Sequence, residues 1–244
     1  MPASNVTVNA TFIPCNHNGN NSSDYSASGN VITATCSVCG DIAGTATITA
    51  QDGTYDGTLH EANVTKTSTL ENVNVIVMYY KGNELLDTAP INAGTYTAKI
   101  TYGEVTASIE YTIDKATPAI SVEVSSGNLS PGSSVVIGTS ATNPNNSVTC
   151  TYQIGDGEVS AFTNGFSIPK GTAVGTVITI TASTAEDANY AAATKTITVT
   201  VEACNHTGGT QTCKGYQCAN CGEWYGQEGT HVPDMYGKCT IEGC

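Results

Sequence analysis

A chain of 244 residues can hold more than one core, and this one reads as two to four small modules rather than a single large domain. Net charge is −13, and only 12% of residues are charged. All eight basic residues are lysines. Without arginine or a basic patch, neither a nucleic-acid partner nor an anionic membrane surface is expected. The acidity reads as a solubility device.

No apolar stretch reaches transmembrane length, so no direct membrane insertion is expected. Met1-Pro2-Ala3-Ser4 has neither a basic nor an apolar leader region, and Cys244 ends no sorting signal. The expectation is a piece of a longer chain with further domains.

Period-two alternation runs through the sequence, and helical periodicity is nearly missing. Strands are predicted at Val31 to Cys36, Thr45 to Ala50 and Val73 to Tyr80, the last turned by Lys81-Gly82-Asn83. Thr95 to Tyr102 and Val105 to Ile113 form a hairpin about Gly103-Glu104. After Lys115 a second series runs Ile120 to Val124, Val135 to Ile137, Val148 to Ile154, Phe162 to Ile168, Val177 to Ala182 and Lys195 to Val201. Ser130-Pro131-Gly132, Asn143-Pro144-Asn145-Asn146 and Gly155-Asp156-Gly157 supply turns between them. Asp187-Ala188-Asn189-Tyr190 reads as a turn rather than a helix. The predicted class is all-β, as tandem small β-sandwiches with Cys/His metal-stapled segments at both ends. The predicted segments are a β-hairpin with a Cys/His site (residues 1–50), a first β module (51–115), a β-sandwich (116–203) and a Cys/His-rich tail (204–244).

Ten cysteines and four histidines carry the chemical signal. Cys15-Asn16-His17 is followed by Cys36-Ser37-Val38-Cys39-Gly40, and Cys204-Asn205-His206 by Cys218-Ala219-Asn220-Cys221-Gly222. One pattern, C-N-H then C-x-x-C-G, thus occurs twice. C-x-H projects two ligands from one short segment, C-x-x-C converges two sulfurs, and the glycine permits the tight path between them. Three thiolates and an imidazole close a tetrahedral zinc site with no open position.

Setting these eight residues aside leaves Cys213, His231, Cys239 and Cys244 in the tail, a third candidate Cys3His set. Two or three structural zinc ions are therefore expected. Disulfides are the alternative, with Cys239–Cys244 or Cys213–Cys244 pairing open for the third set. Cys150 and His60 remain over; Cys150 alternates with Val148, Tyr152 and Ile154 and reads as a buried apolar residue.

No nucleophile elbow is present. Asp52-Gly53 and Asp56-Gly57 read as turns, not as paired catalytic carboxylates, and Asp156-Gly157-Glu158 as a solvated turn without calcium-ligand spacing. A catalytic metal would need an open coordination position, so no enzyme is expected. Trp224-Tyr225, Tyr216 and Tyr236 are either the miniature core of the tail or a stacking platform for a sugar or peptide.

Tyr55-Asp56-Gly57-Thr58 and Asn92-Ala93-Gly94-Thr95-Tyr96 together resemble the MBG/YDG-type bacterial Ig-like modules. In such a module Tyr96 can lock a strand to its loop as a tyrosine corner does. Asp187-Ala188-Asn189-Tyr190 followed by Thr194 to Val201 is similar to the last hairpin of bacterial Ig-like repeats. The tail is similar to the C-x-H/C-x-x-C-G segments between such modules in surface proteins of gut Firmicutes. The resemblance implies a secreted or cell-surface location and a spacer, stalk or adhesion role. A carbohydrate-binding accessory region of a glycan-degrading assembly is the alternative. A host or plant glycan, or a surface protein, is the implied partner class.

Overall fold

The computed structural model describes Cys15 and residues 23–206, 208–212, 214–227 and 234–238. Of the expected ligands, His17, Cys213, His231, Cys239 and Cys244 lie outside the described residues. The chain divides into two compact units, Met1–Ala116 and Thr117–Cys244.

The first unit contains β1 (Ser23–Ser28), β2 (Val31–Cys36), β3 (Ile42–Thr49), β4 (Gly53–Thr54), β5 (Asn63–Lys66), one 3-10 turn (Ser68–Leu70), β6 (Val77–Lys81), β7 (Glu84–Leu86), β8 (Gly94–Tyr102) and β9 (Val105–Asp114). One sheet has the order β1-β2-β3-β5, the other β4-β9-β8-β6-β7. Alternation does the sorting: β2 buries Ile32, Ala34 and Cys36, and β8 buries Tyr96, Ala98 and Ile100. These residues join Ile48, Leu70, Ala107, Tyr111 and Ile113 in one core between the two sheets.

Residues on both sides of position 50 therefore share that core, and β5 completes the sheet begun by β1, β2 and β3. A strand partner is chosen by buried apolar area, which a sequence boundary does not reveal. The strand predicted from Val73 begins only at Val77. Leu70 is buried at the end of the 3-10 turn, and Val73 N–H donates back to its carbonyl at 3.1 Å, so the chain is still turning at Val73.

Tyrosine hydroxyls tie loops to this frame. Tyr96, in the Asn92 to Tyr96 motif, donates to the Asn92 carbonyl at 2.7 Å, the tyrosine-corner contact. Tyr111 donates to the His60 carbonyl at 3.0 Å, and Tyr79 accepts from the Ala62 N–H at 3.0 Å. Burial pushes the Tyr96 and Tyr111 phenols up. The Tyr55 to Thr58 motif closes locally: Asp56 accepts from the Thr58 N–H at 2.8 Å and hydroxyl at 2.7 Å, which holds its carboxyl down.

The second unit contains β10 (Ile120–Val124), β11 (Ser134–Ala141), β12 (Thr149–Ile154), β13 (Ser160–Phe162), β14 (Gly165–Ser167), β15 (Val177–Thr184) and β16 (Ala193–Thr200). The tail follows with β17 (Thr210–Thr212), β18 (Gly215–Gln217) and β19 (Trp224–Tyr225). Sheets β10-β11-β14 and β13-β12-β15-β16 enclose Val135, Ile137, Ile168, Ile178, Ile180 and Val201; β17-β18-β19 form a third small sheet. The single strand expected from Phe162 to Ile168 is two strands: β13 pairs with β12, and β14 pairs with β11. The chain changes sheets between them. Phe162, Phe166 and Tyr152 pack over the crossing, with Tyr152 and Phe166 stacked at 3.9 Å. Cys150 is buried opposite Ala182 and Phe162.

Asp187 clasps two loops of this sandwich. Its Oδ1 accepts the N–H groups of Asn189 and Tyr190 at 2.8 and 2.7 Å; its Oδ2 accepts the amides of Asn143 and Asn145 at 3.1 and 3.2 Å. The Asn189 N–H is the largest cause holding this carboxyl below the usual range. Among the described residues, no helix is long and apolar enough to cross a membrane.

Tyr96→Phe is expected to destabilise the first unit by about 1 kcal/mol, read as a lower denaturant midpoint at unchanged slope. Because folding lowers the pKa of Asp187, its contribution is complete above the unfolded value of about 3.9 and is lost as pH falls through the folded value. Asp187→Asn is thus expected to lower Tm at pH 7 and to leave it nearly unchanged near pH 2, with thermal melts at both pH values as the check.

Candidate metal centres

The two C-x-x-C-G segments fold into the same turn. At the N-terminal end, Cys36 N–H donates to the Asp41 carbonyl at 2.9 Å and Gly40 N–H donates to the Cys36 carbonyl at 2.8 Å. At the C-terminal end, Cys218 N–H donates to the Glu223 carbonyl at 2.8 Å and Gly222 N–H to the Cys218 carbonyl at 2.9 Å. Gly40 and Gly222 have φ of 79° and 80°, a left-handed conformation that a side chain would strain. The knuckle is thus set by local sequence. What differs is its support: the first caps the β2–β3 hairpin, and the second lies between β18 and β19.

In the tail, Cys204, His206, Cys218 and Cys221 bring their ligand atoms within 4.8 Å of one another. Cys204 and Cys218 sulfurs stand 3.5 Å apart, and His206 Nδ1 stands 3.4 Å from the Cys221 sulfur. A tetrahedral site with metal–sulfur bonds of about 2.3 Å separates its sulfurs by roughly 3.8 Å, so the spacing suits one shared ion. Cys218 and Cys221 are buried. The imidazole is held from outside: Tyr225 stacks on it at 5.4 Å, and Glu223 lies 3.7 Å from Nε2. Tyr225 in turn donates to the Gly208 carbonyl at 2.8 Å. A carboxylate on the far side of a ligating imidazole fixes the ring and raises its basicity.

At the other end Cys15, Cys36 and Cys39 form the second cluster, with Cys15 and Cys36 sulfurs 3.4 Å apart. His17, the expected fourth ligand, is outside the described residues. So is every member of the Cys213, His231, Cys239 and Cys244 set, for which the structure describes no geometry.

In each cluster one thiol is drawn toward the thiolate by backbone N–H groups. Cys36 is drawn down to about 6, chiefly by the Cys39 N–H, and Cys218 to about 6, chiefly by the Cys221 N–H. A second negative charge is resisted. Cys15 is pushed up to about 12 by hydrogen bonds with Cys39 and Cys36, and burial pushes Cys221 up to about 11. A divalent cation at the centre removes that resistance by neutralising the added charge.

His60 lies in neither cluster; its Nε2 stands 3.5 Å from Asp56, an ion-pair distance rather than a hydrogen bond. The sequence reading missed Glu223. Its signal was available, because both knuckles continue into an acid, Asp41 after Gly40 and Glu223 after Gly222.

Fold and clusters together define an all-β chain of small β-sandwiches, with a three-cysteine group near one end and a Cys/His group near the other that could each hold a metal. No protein-family model matches the chain, and no curated protein matches it. Among solved structures it is similar to Sidekick-1 immunoglobulin domains 1–5, at 11% identity and TM-score 0.28, covering 71% of this chain and 45% of that one. The chain thus spans less than half of that structure. It is also similar to the three N-terminal domains of the bacteriophage RB49 highly immunogenic outer capsid protein, at 16% identity and TM-score 0.28, covering 72% and 78%.

Cys218→Ser is expected to remove about one metal equivalent per chain while leaving the Cys15 cluster loaded, as read by elemental analysis of the purified variant.

Proposed function

We propose that the chain is a non-catalytic, extracellular stalk or adhesion segment of a bacterial surface protein, with structural zinc at both ends. The observation that carries this reading is the closed Cys3His group of the tail, whose four ligands leave no position for a reacting water. Three thiols with one imidazole suit zinc above harder ions, which prefer oxygen ligands. The tail needs such a fastener, because a sheet of three short strands buries too little apolar surface to order itself. The sandwiches supply rigid length, and the residues resembling MBG/YDG-type modules support the surface location. Partners would be a glycan or protein of another surface, met by the longer chain as a whole.

The carbohydrate-platform alternative has less support. Register places Tyr216 beside Tyr225 on one face of the small sheet and Trp224 beside Gln217 on the other. Tyr225 is taken up by the His206 stack, so exposed Tyr216 and Trp224 do not form one flat pair.

Elemental analysis with a free-thiol count, before and after chelation, tests the zinc reading. About two zinc ions per chain are expected from the described clusters, and a third if the Cys213 set also binds. Chelation is expected to free the thiols and lower Tm. Oxidised cysteines with no bound metal would overturn it.

A further inference from the structure

The second sandwich carries a seat shaped to the metal knuckle that follows it. The chain leaving β16 is held against the loop before β11. Glu202 N–H donates to the Leu129 carbonyl at 2.8 Å, and the Asn128 amide donates to the Ala203 carbonyl at 3.2 Å. The chain leading to Cys204 is thus held against residues that run into the Ser130-Pro131-Gly132 turn, where Ser130 and Pro131 are buried. That turn is pinned to the sandwich core. Gly132 N–H donates to the Ile168 carbonyl at 2.9 Å, and Ile168 N–H to the Ser133 carbonyl at 2.9 Å.

The backbone of the knuckle lies directly on this turn. A Cβ at Gly132 would overlap the carbonyl of Asn220, the third residue of Cys218-Ala219-Asn220-Cys221, and Gly132 has a φ of 82°. Absence of a side chain there is what allows two backbones to approach so closely. From the loop after β14, Lys170 Nζ donates to the Ala219 carbonyl at 3.2 Å, and its stem lies 3.9 Å from where a Cβ of Gly222 would stand. Two successive carbonyls of the metal-binding turn, Ala219 and Asn220, are therefore read by residues that lie about 50 and about 90 positions earlier. In the tail, the contacts that Gly132 and Lys170 make are with Asn220, Ala219 and Gly222, none of them a proposed ligand. Both residues touch the turn whose shape the ligands Cys218 and Cys221 require.

We infer that metal at the Cys204 cluster locks the tail onto the second sandwich through Gly132 and Lys170, making sandwich and tail one metal-dependent unit. The inference rests on the cluster being a metal site. Metal fixes the knuckle in the conformation that fits the seat, and the seat, by linkage, holds the knuckle in the conformation that binds metal. The joint between modules is then stiff when loaded and loose when metal is withdrawn.

The full chain tests this by amide exchange and by titration of Zn²⁺ against a competing chelator. The Gly40 and Gly222 amides report the two knuckles separately, and the Gly132 amide reports the seat. Chelation is expected to speed exchange at Gly222 and, by about tenfold or more, at Gly132 as well. Lys170→Met, which alters no backbone, is expected to weaken Zn²⁺ binding several-fold at the Gly222 knuckle only. Gly132→Ala is expected to weaken it more, by about tenfold. Faster exchange at Gly222 with Gly132 unmoved, together with unchanged Zn²⁺ affinity in Lys170→Met, would sink the inference while leaving the zinc reading intact. No response to Zn²⁺ at either knuckle would sink both.

Discussion

Isoleucines packed between two sheets are the interaction on which the rest of this molecule depends. Ile32, Ile48, Ile100 and Ile113 fill the first unit, and Ile137, Ile168, Ile178 and Ile180 fill the second. Each buried side chain of this size contributes roughly 1.5–3 kcal/mol relative to exposure. Alternation places them all inward, so the strands must pair in registers that keep one face dry. Loops are then free to carry the polar devices. The tyrosine corner at Tyr96, the Asp56 turn and the Asp187 clasp each fasten a loop to a frame that the isoleucines have already built.

The tail obeys the same physics under a tighter limit. Its three strands contain two or three residues each, too short to close a core. Its Cys/His cluster could substitute for burial, because a bound ion can hold four ligands from two segments with little apolar area. The aromatic residues then take a supporting part. Tyr225 lies against the His206 ring and fixes its plane, with Glu223 on the ring's far edge. Chemistry and packing are one arrangement here, and this is why the tail's aromatics read as support for the cluster more readily than as a ligand surface.

A knuckle of this kind is local in origin and nonlocal in use. The two copies share hydrogen bonds and glycine conformation almost atom for atom. One copy ends a hairpin whose strands belong to a sandwich, while the other is pressed against a glycine of a neighbouring sandwich. The same six-residue turn can therefore close a strand pair or join two modules, according to what faces its carbonyls.

The sequence by itself determined the all-β class, most strand positions, the tyrosine corner and the duplicated knuckle. Each depends on spacing within about ten residues: alternation of two, C-x-x-C-G, or a tyrosine four residues from its acceptor. His206 was legible as a candidate ligand for the same reason, since the C-N-H repeat names it. Tertiary structure decided what depends on partners far along the chain. It joined β5 to β3, so that residues on both sides of position 50 share one core. It split Phe162 to Ile168 between two sheets, and it brought Gly132 and Lys170 against the tail's C-x-x-C-G turn. Strand partners and close backbone approaches are selected by the buried area of the whole fold, and no local pattern of side chains records that choice.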